Sequence, residues 1–144
     1  MRNPPPWRVV LGTYLAGLAL VGFWPTPLDK AVFGTLAAML RYLHRYGVPA
    51  WIDYQFVERA ANVAMFIPLG FLATMALPAK AWWQVAGISL LASTCMELGQ
   101  LLFIAGRFSS LMDVVTNTIG AVIGVAAARL ITRKETPVTA TGAP

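Results

Sequence analysis

One group of polar residues stands out in an otherwise apolar chain, between residues 81 and 133. Its members carry acidic, amide or guanidinium side chains: Glu97, Gln100, Arg107, Asp113 and Asn117. Ionisable side chains are costly inside a membrane, where they mark ligand sites, proton relays or substrate paths. Amide and guanidinium groups can hold a polar headgroup, and a carboxyl group can also exchange protons. These residues are therefore the first candidates for function.

The remainder of the sequence predicts the setting of these residues. Of the 144 residues, 58% are hydrophobic and 12% are charged, and the mean hydropathy is +0.65. A typical soluble domain is less apolar and more charged. Apolar stretches at 9–24, 56–77, 81–104 and 113–131 approach the ~20 residues that a helix needs to cross ~30 Å of hydrocarbon. We predict an all-α polytopic membrane protein, a four-transmembrane-helix bundle formed by a single domain over 1–133.

The two ends of the chain predict its orientation. The start, Met1–Arg8 followed by an apolar run, resembles a secretory signal, but no small-x-small cleavage site follows. We therefore expect a retained signal-anchor helix. Basic residues in short segments next to helix ends predict cytoplasmic N- and C-termini in the cell membrane. Residues 134–144, rich in Thr, Ala, Gly and Pro, predict a disordered cytoplasmic tail.

An extracytoplasmic amphipathic helix is predicted between helices 1 and 2, over residues 28–46. Its apolar residues recur at helical spacing: Phe33, Leu36, Leu40 and Leu43. Its polar residues lie elsewhere around the turn: Thr35, Arg41, His44 and Arg45. This pattern is typical of a helix that lies in the membrane interface with its basic side toward headgroups. A cap packed on the bundle is the alternative.

Alternating helix directions bring the polar residues to one depth in the outer half of the membrane. The second helix enters from outside and the third leaves there, so Gln100 and Glu97 lie ~6–10 Å below the outer face at the helical rise. Asp113 begins the fourth helix, and Arg107 lies in the external turn before it. The candidate ligand-binding residues are therefore Arg59, Asn62, Glu97, Gln100, Arg107, Asp113 and Asn117.

Small residues and amides also have purely structural explanations. Gly120 and Gly124 form a G-x-x-x-G pair, which we assign to helix packing. Pro68 predicts a kink in the second helix. The amides could serve as hydrogen-bonding contacts between helices, and Glu97 could form a structural ion pair with Arg107.

Other classes of function find little support. The formal net charge of +5 comes from scattered basic residues with no basic stripe, so we expect no nucleic-acid partner. His44 has no second His, Cys or paired carboxylate nearby, so we expect no metal site and no cofactor. Cys95, the only cysteine, lies mid-helix and is predicted to be a buried, inert thiol.

Several motifs resemble the signature of the VanZ-like family of small integral membrane proteins. The run from Asn62 to Leu72, with Pro68 and Gly70, is similar to the family's second-helix motif. The later motifs are Ser93-x-x-x-Glu97-Leu-x-Gln100 and Arg107-Phe-Ser-Ser-x-x-Asp113-Val-x-x-Asn117-Thr-x-Gly120-x-x-x-Gly124. Here Ser109 and Ser110 stand where the family commonly has an acidic residue after the arginine. The resemblance covers 23–130 in the family's order.

The resemblance implies a membrane protein of the bacterial cell envelope. The family takes its name from a protein that confers low-level resistance to the glycopeptide teicoplanin without changing the peptidoglycan stem peptide. It therefore implies a link to antibiotic resistance, whether or not this chain confers resistance.

Three functions remain open from the sequence. The first is binding of a lipid headgroup or a lipid-linked envelope precursor, with Arg59 and Arg107 holding an anionic group. The second is a small membrane enzyme acting on a lipid-linked substrate, with candidate catalytic residues Glu97 as acid or base and Asp113 as its partner. The third is a proton-coupled transporter, for which four helices form a thin pathway unless the protein is a homo-oligomer. Binding is favoured, because no nucleophile–base pair or phosphate loop is found.

Overall fold

The computed structural model describes residues 6–23, 28–77, 80–103 and 110–134, and every regular element in these ranges is an α-helix. In chain order they are α1 (Pro6–Gly22), α2 (Leu28–Arg45), α3 (Tyr54–Ala76), α4 (Trp82–Phe103) and α5 (Leu111–Lys134). The all-α prediction is confirmed. Helices α3, α4 and α5 are long and apolar enough to cross a membrane, whereas α1 is an apolar helix of 17 residues.

Local capping explains where the long helices begin. The Asp53 carboxylate accepts a hydrogen bond from the Phe56 amide at 2.8 Å and caps α3. Before α4, the Gln84 side chain accepts from the Ala81 amide at 2.9 Å. The Asp113 amide donates to the Ser110 carbonyl at 3.0 Å at the start of α5. These contacts satisfy amide groups that have no partner inside the helix.

The outside of the bundle is apolar, while α4 turns its polar side chains inward. Leu91 and Leu102 are 66% and 74% exposed. The buried polar residues of α4 form one row: Ser89, Ser93, Glu97 and Gln100. Such an inverted distribution suits a lipid environment, because contiguous apolar surface on this scale is rare on soluble monomers. The three long apolar helices thus indicate a multi-pass membrane protein.

Helices α3 and α5 make the closest contact in the bundle, and glycines permit it. A Cβ built on Gly70 would overlap the backbone of Ala121, and one on Gly120 would overlap the Val63 carbonyl. Gly124 lies equally close to the α3 backbone. The packing role predicted for Gly120 and Gly124 agrees with this geometry, and Gly70 contributes in the same way from α3.

Hydrogen bonds at one end of the bundle bring three chain segments together. The Arg8 guanidinium donates to the Ala76 carbonyl at 3.4 Å, at the C-terminus of α3. The Arg129 guanidinium donates to the Lys80 carbonyl at 3.1 Å. The start of α1, the α3–α4 connection and the end of α5 therefore share one end. Positive charge near helix C-termini is also favoured by the helix dipole.

Helix α3 continues through Pro68 without a break. Proline has no N–H, so it cannot donate to the Ala64 carbonyl one turn earlier. One residue further on, the Tyr14 hydroxyl donates to the Met65 carbonyl at 2.6 Å. A polar contact thus joins α1 to α3 beside the proline.

Helix α2 ends one residue before its predicted end and contacts α3. Leu40 is buried, whereas Arg41 and Arg45 are exposed. His44 Nε2 donates to the Ile52 carbonyl at 3.1 Å, in the turn before α3. On the exposed side, a hydrogen bond with Tyr46 raises the pKa of Tyr42.

The prediction that Cys95 is buried is wrong, because its side chain is exposed on α4. The buried face of α4 follows Ser89, Ser93 and Glu97, and Cys95 lies ~200° around the helix from Ser93. The mid-helix position indicated depth in the membrane but not which side of the helix faces the bundle. Of the predicted tail, Lys134 ends α5, and 135–144 lie outside the described residues.

Replacing Gly70 by alanine should destabilise the bundle. The new methyl group would overlap the Ala121 backbone, and overpacking typically costs about 1–3 kcal/mol. The matched control is Gly87→Ala on α4, where nothing lies within 4 Å of the added carbon. That change should leave the thermal unfolding midpoint unchanged or raised, because alanine favours helix. Equal midpoints for the two variants in detergent would contradict the close contact.

Candidate functional site

A polar cavity of about 100 Å³ lies between α1, α3, α4 and α5. Its polar side chains come from three of these helices: Glu58, Asn62, Glu97, Gln100, Asp113 and Asn117. Gly22, at the end of α1, contributes backbone to the lining. The cavity therefore occupies the end of the bundle opposite the Arg8 and Arg129 contacts. We call it the polar cavity.

One side of the polar cavity is built by an amide–carboxylate contact between α3 and α5. Asn62 Nδ2 donates to Asp113 Oδ1 at 3.1 Å. Asp113 lies in the first turn of α5, where a carboxylate is favoured by the helix dipole. The contact orients the carboxylate and links the two helices that the glycines bring together.

Asn117 forms the deepest polar contact of the site. Its Nδ2 donates to Ser93 Oγ at 2.9 Å, and the two side chains are 6% and 0% exposed. Within the described part of the chain, no donor reaches Oδ1 of Asn117. A buried acceptor without a partner costs about 1–3 kcal/mol. This oxygen is therefore a buried acceptor that a donor group would stabilise.

Glu97 and Gln100 hold α4 against its neighbours at the same level. Glu97 is 6% exposed, and its Oε2 accepts from the Ser110 amide at 3.2 Å, just before α5. Gln100 Nε2 donates to the Gly22 carbonyl at 3.0 Å, at the end of α1. A Cβ on Gly22 would lie 3.3 Å from the Gln100 amide nitrogen, which is a tight contact. Both side chains therefore fix helix ends as well as lining the cavity.

The structure brings most of the sequence-predicted site residues into this cavity. They are Asn62, Glu97, Gln100, Asp113 and Asn117. Arg59 lies elsewhere: it is exposed and donates to Gln55 on the same helix at 3.2 Å. Arg107 lies outside the described residues. Ligand binding by any of these side chains stays a prediction.

Sequence reasoning missed three contributors to the site. Glu58 precedes Asn62 by four residues, so helical spacing alone could have placed it on the same face. Ser93 was named only as the first residue of the Ser93-x-x-x-Glu97 motif, although its hydroxyl accepts from Asn117. The Gly22 carbonyl has no sequence signal, because any residue carries a carbonyl.

The charged groups that line the described cavity are all carboxylic acids: Glu58, Glu97 and Asp113. Together with the amide oxygen of Asn117, they favour a ligand that donates hydrogen bonds or carries positive charge. No group of three or more His, Cys, Asp or Glu is arranged to hold a metal ion within the described ranges.

Comparison with known proteins identifies the family. The family model described as VanZ/LLP1 matches residues 12–132, which include every residue of the polar cavity. The chain belongs to the VanZ/LLP1 family. The resemblance inferred from the motifs is therefore confirmed. No curated protein and no solved structure matches the chain.

The Asn117–Ser93 contact should show energetic coupling. Hydrogen bonds between membrane helices couple by about 1 kcal/mol, so the combined variant Ser93→Ala, Asn117→Ala should destabilise less than the two single changes added together. Unfolding in mixed micelles measures the four free energies. Ser89→Ala is the matched control, because the Ser89 hydroxyl donates to the Val85 carbonyl of its own helix at 3.0 Å. Coupling of Asn117 to Ser89 as strong as to Ser93 would contradict the assignment.

Proposed function

We propose that this VanZ/LLP1 protein binds an envelope lipid, or a lipid-linked envelope precursor, with part of the headgroup in the polar cavity. The observation that carries the proposal is Oδ1 of Asn117, a buried acceptor that no described group satisfies. A hydroxyl or ammonium group of the ligand would supply the donor. The three carboxyl groups of the lining support the same chemistry, because they attract such donors.

The size of the polar cavity limits what it can enclose. Its volume of about 100 Å³ is well below the ~300–1,000 Å³ of pockets that bury small molecules. A hydroxyl or ammonium terminus fits this space, whereas a whole saccharide or a glycopeptide does not. A link to teicoplanin resistance would therefore act through the envelope lipid and not through enclosure of the antibiotic.

A phosphate on the same lipid would lie outside the polar cavity. Arg59 lies one turn before Asn62 on α3 and is exposed, which suits contact with phosphate at the membrane surface. The role proposed for Arg107 in holding an anionic headgroup rests on the sequence alone. In this arrangement Glu97 and Asp113 interact with the donor group and do not contact the phosphate.

The proposal includes four spans, with both termini cytoplasmic. Helix α1 runs between the same two ends of the bundle as the long helices, since Arg8 reaches Ala76 and Gln100 reaches Gly22. Its 17 residues correspond to ~26 Å at the helical rise, close to the ~30 Å of hydrocarbon. Basic residues at the Arg8 end support a cytoplasmic location for that end. Helix α2 would then lie in the outer interface.

A membrane enzyme is the second candidate, and the burial of Glu97 beside Asp113 in one cavity favours it. Glu97 would act as acid or base on a lipid-linked substrate, with Asp113 as its partner. A proton-coupled transporter would use the same carboxyl groups. The binding proposal needs neither turnover nor proton movement, which separates it from both alternatives.

Phosphatidylethanolamine and phosphatidylglycerol should bind roughly 5- to 150-fold more tightly than phosphatidylcholine with identical chains. The first two headgroups donate hydrogen bonds, phosphatidylcholine has no N–H or O–H donor, and an unsatisfied buried acceptor costs about 1–3 kcal/mol. Native mass spectrometry of protein released from nanodiscs of each composition measures lipid retention. Asn117→Ala should abolish the preference.

Two variants complete this test. Thr116→Ala is the matched control, because the Thr116 hydroxyl bonds to carbonyls of its own helix and does not line the described cavity. Glu97→Gln keeps an acceptor for the Ser110 amide and should retain lipid. Equal retention of all three lipids by wild type would refute headgroup binding. If the mass of the bound lipid changes with wild type but not with Glu97→Gln, the protein is an enzyme that modifies the lipid, and the binding proposal is wrong.

Cysteine labelling tests the proposed orientation in a Cys95→Ala background. An impermeant thiol reagent should label Tyr46→Cys in intact cells, because we assign the α2–α3 turn to the outside. Lys80→Cys should be labelled only after permeabilisation. Both wild-type side chains are exposed, so the protein itself shields neither position from the reagent. Labelling of Lys80→Cys alone in intact cells would reverse the topology.

A further inference from the structure

A second cavity, of about 580 Å³, runs along the outside of α1. We call it the apolar groove. Its lining is mainly aliphatic and comes from α1, with Met65 added from α3. Tyr14 belongs to this lining, but its hydroxyl is bonded to the Met65 carbonyl. The groove faces the surroundings of the bundle, since Val9, Val10 and Val21 are all exposed.

The apolar groove and the polar cavity are neighbours. Leu18, Val21 and Met65 line both of them. These three side chains form a wall common to the two cavities. The apolar groove therefore begins where the polar cavity ends.

The direction of the apolar groove matches the path of a lipid chain. From Val21 to Val9 it follows α1 for ~18 Å at the helical rise. It leads away from the polar cavity, toward the Arg8 end of the bundle. That distance is more than half of the ~30 Å hydrocarbon thickness. A chain attached to a group in the polar cavity would thus reach past the membrane centre without leaving the groove.

We propose that the apolar groove binds one hydrocarbon chain of the lipid whose polar group occupies the polar cavity. The two cavities then form a single site for an amphiphile. This inference rests on the proposed function, because bulk lipid is as apolar as the groove and offers no reason for one chain to stay. The polar group holds the lipid in place, and the groove selects its chain.

The groove contains a position at which it can be blocked. A Cβ built on Gly17, within the groove, meets nothing within 4 Å, so a large side chain there would enter open space. Gly12 on the same helix is equally open but does not belong to the groove lining. Gly17→Trp and Gly12→Trp are therefore a matched pair that differ in which face of α1 carries the ring.

Photocrosslinking tests the inference. The probe is phosphatidylethanolamine with a diazirine at the end of one acyl chain, present as a trace in nanodiscs. Peptide mass mapping of wild type should find adducts on the groove residues of α1. Gly17→Trp should lose these adducts, and Gly12→Trp should keep them. Gly17→Leu provides a smaller block if the tryptophan variant inserts poorly.

The outcomes separate the groove from the headgroup site. Unchanged adducts in both Gly17 variants would overturn the inference. An adduct yield in Asn117→Ala equal to that of wild type would also overturn it, because bulk lipid would then fill the groove. A dimer that dissociates on Gly17→Trp would assign the groove to a second copy of the chain. The proposed function fails separately, when phosphatidylethanolamine retention is the same in wild type and Asn117→Ala.

A short-chain phosphatidylethanolamine provides the complementary measurement. Its chains are chosen to end before Gly17, which lies ~6 Å along α1 from Val21 at the helical rise. Gly17→Trp should therefore reduce retention of the long-chain lipid and leave that of the short-chain lipid unchanged. Asn117→Ala should reduce retention of both. Loss of both lipids in Gly17→Trp would indicate that the ring disturbs the polar cavity, and would count against an independent chain site.

Discussion

The close contact between α3 and α5 is the constraint on which the rest of the bundle depends. Gly70 from one helix and Gly120 and Gly124 from the other leave the two backbones in direct contact. Side chains larger than hydrogen would separate the helices. At that separation Asn62 could no longer reach Asp113, and the wall of the polar cavity would open. Backbone proximity, more than hydrogen-bond strength, therefore determines where the polar groups meet.

The polar groups inside this bundle both hold the helix ends in place and line the polar cavity. Glu97 and Gln100 bond to backbone groups at helix ends, the Ser110 amide and the Gly22 carbonyl, in an apolar environment where such groups need partners. Because the membrane offers no water, these contacts fix the ends of α1 and α5 relative to α4. The same side chains line a cavity beside Asn117, whose buried Oδ1 has no partner within the described residues. The residues that support the fold are thus also the candidate ligand-binding residues.

The proposed ligand is an amphiphile because the two neighbouring cavities differ in polarity. The polar cavity is small and acidic, and the apolar groove beside it is long and aliphatic. A water-soluble ligand would leave the groove empty, and a plain hydrocarbon would supply no donor to Oδ1 of Asn117, which has no partner within the described residues. Their shared walls at Leu18, Val21 and Met65 place the two environments side by side, as the proposed lipid would require.

Period and composition predicted the helices and the membrane setting, and spacing predicted five of the cavity residues, because helix length and repeat are local properties of the chain. The family was indicated separately, by the resemblance of the motifs to a known signature. They could not place Arg59, whose long side chain bonds along its own helix, or the Gly22 carbonyl, which every residue type carries. The exposed side of Cys95 and the apolar groove along α1 also depended on which helix faces which. Rotation of each helix about its axis is decided by packing between segments far apart in sequence, and that is what only the tertiary structure contains.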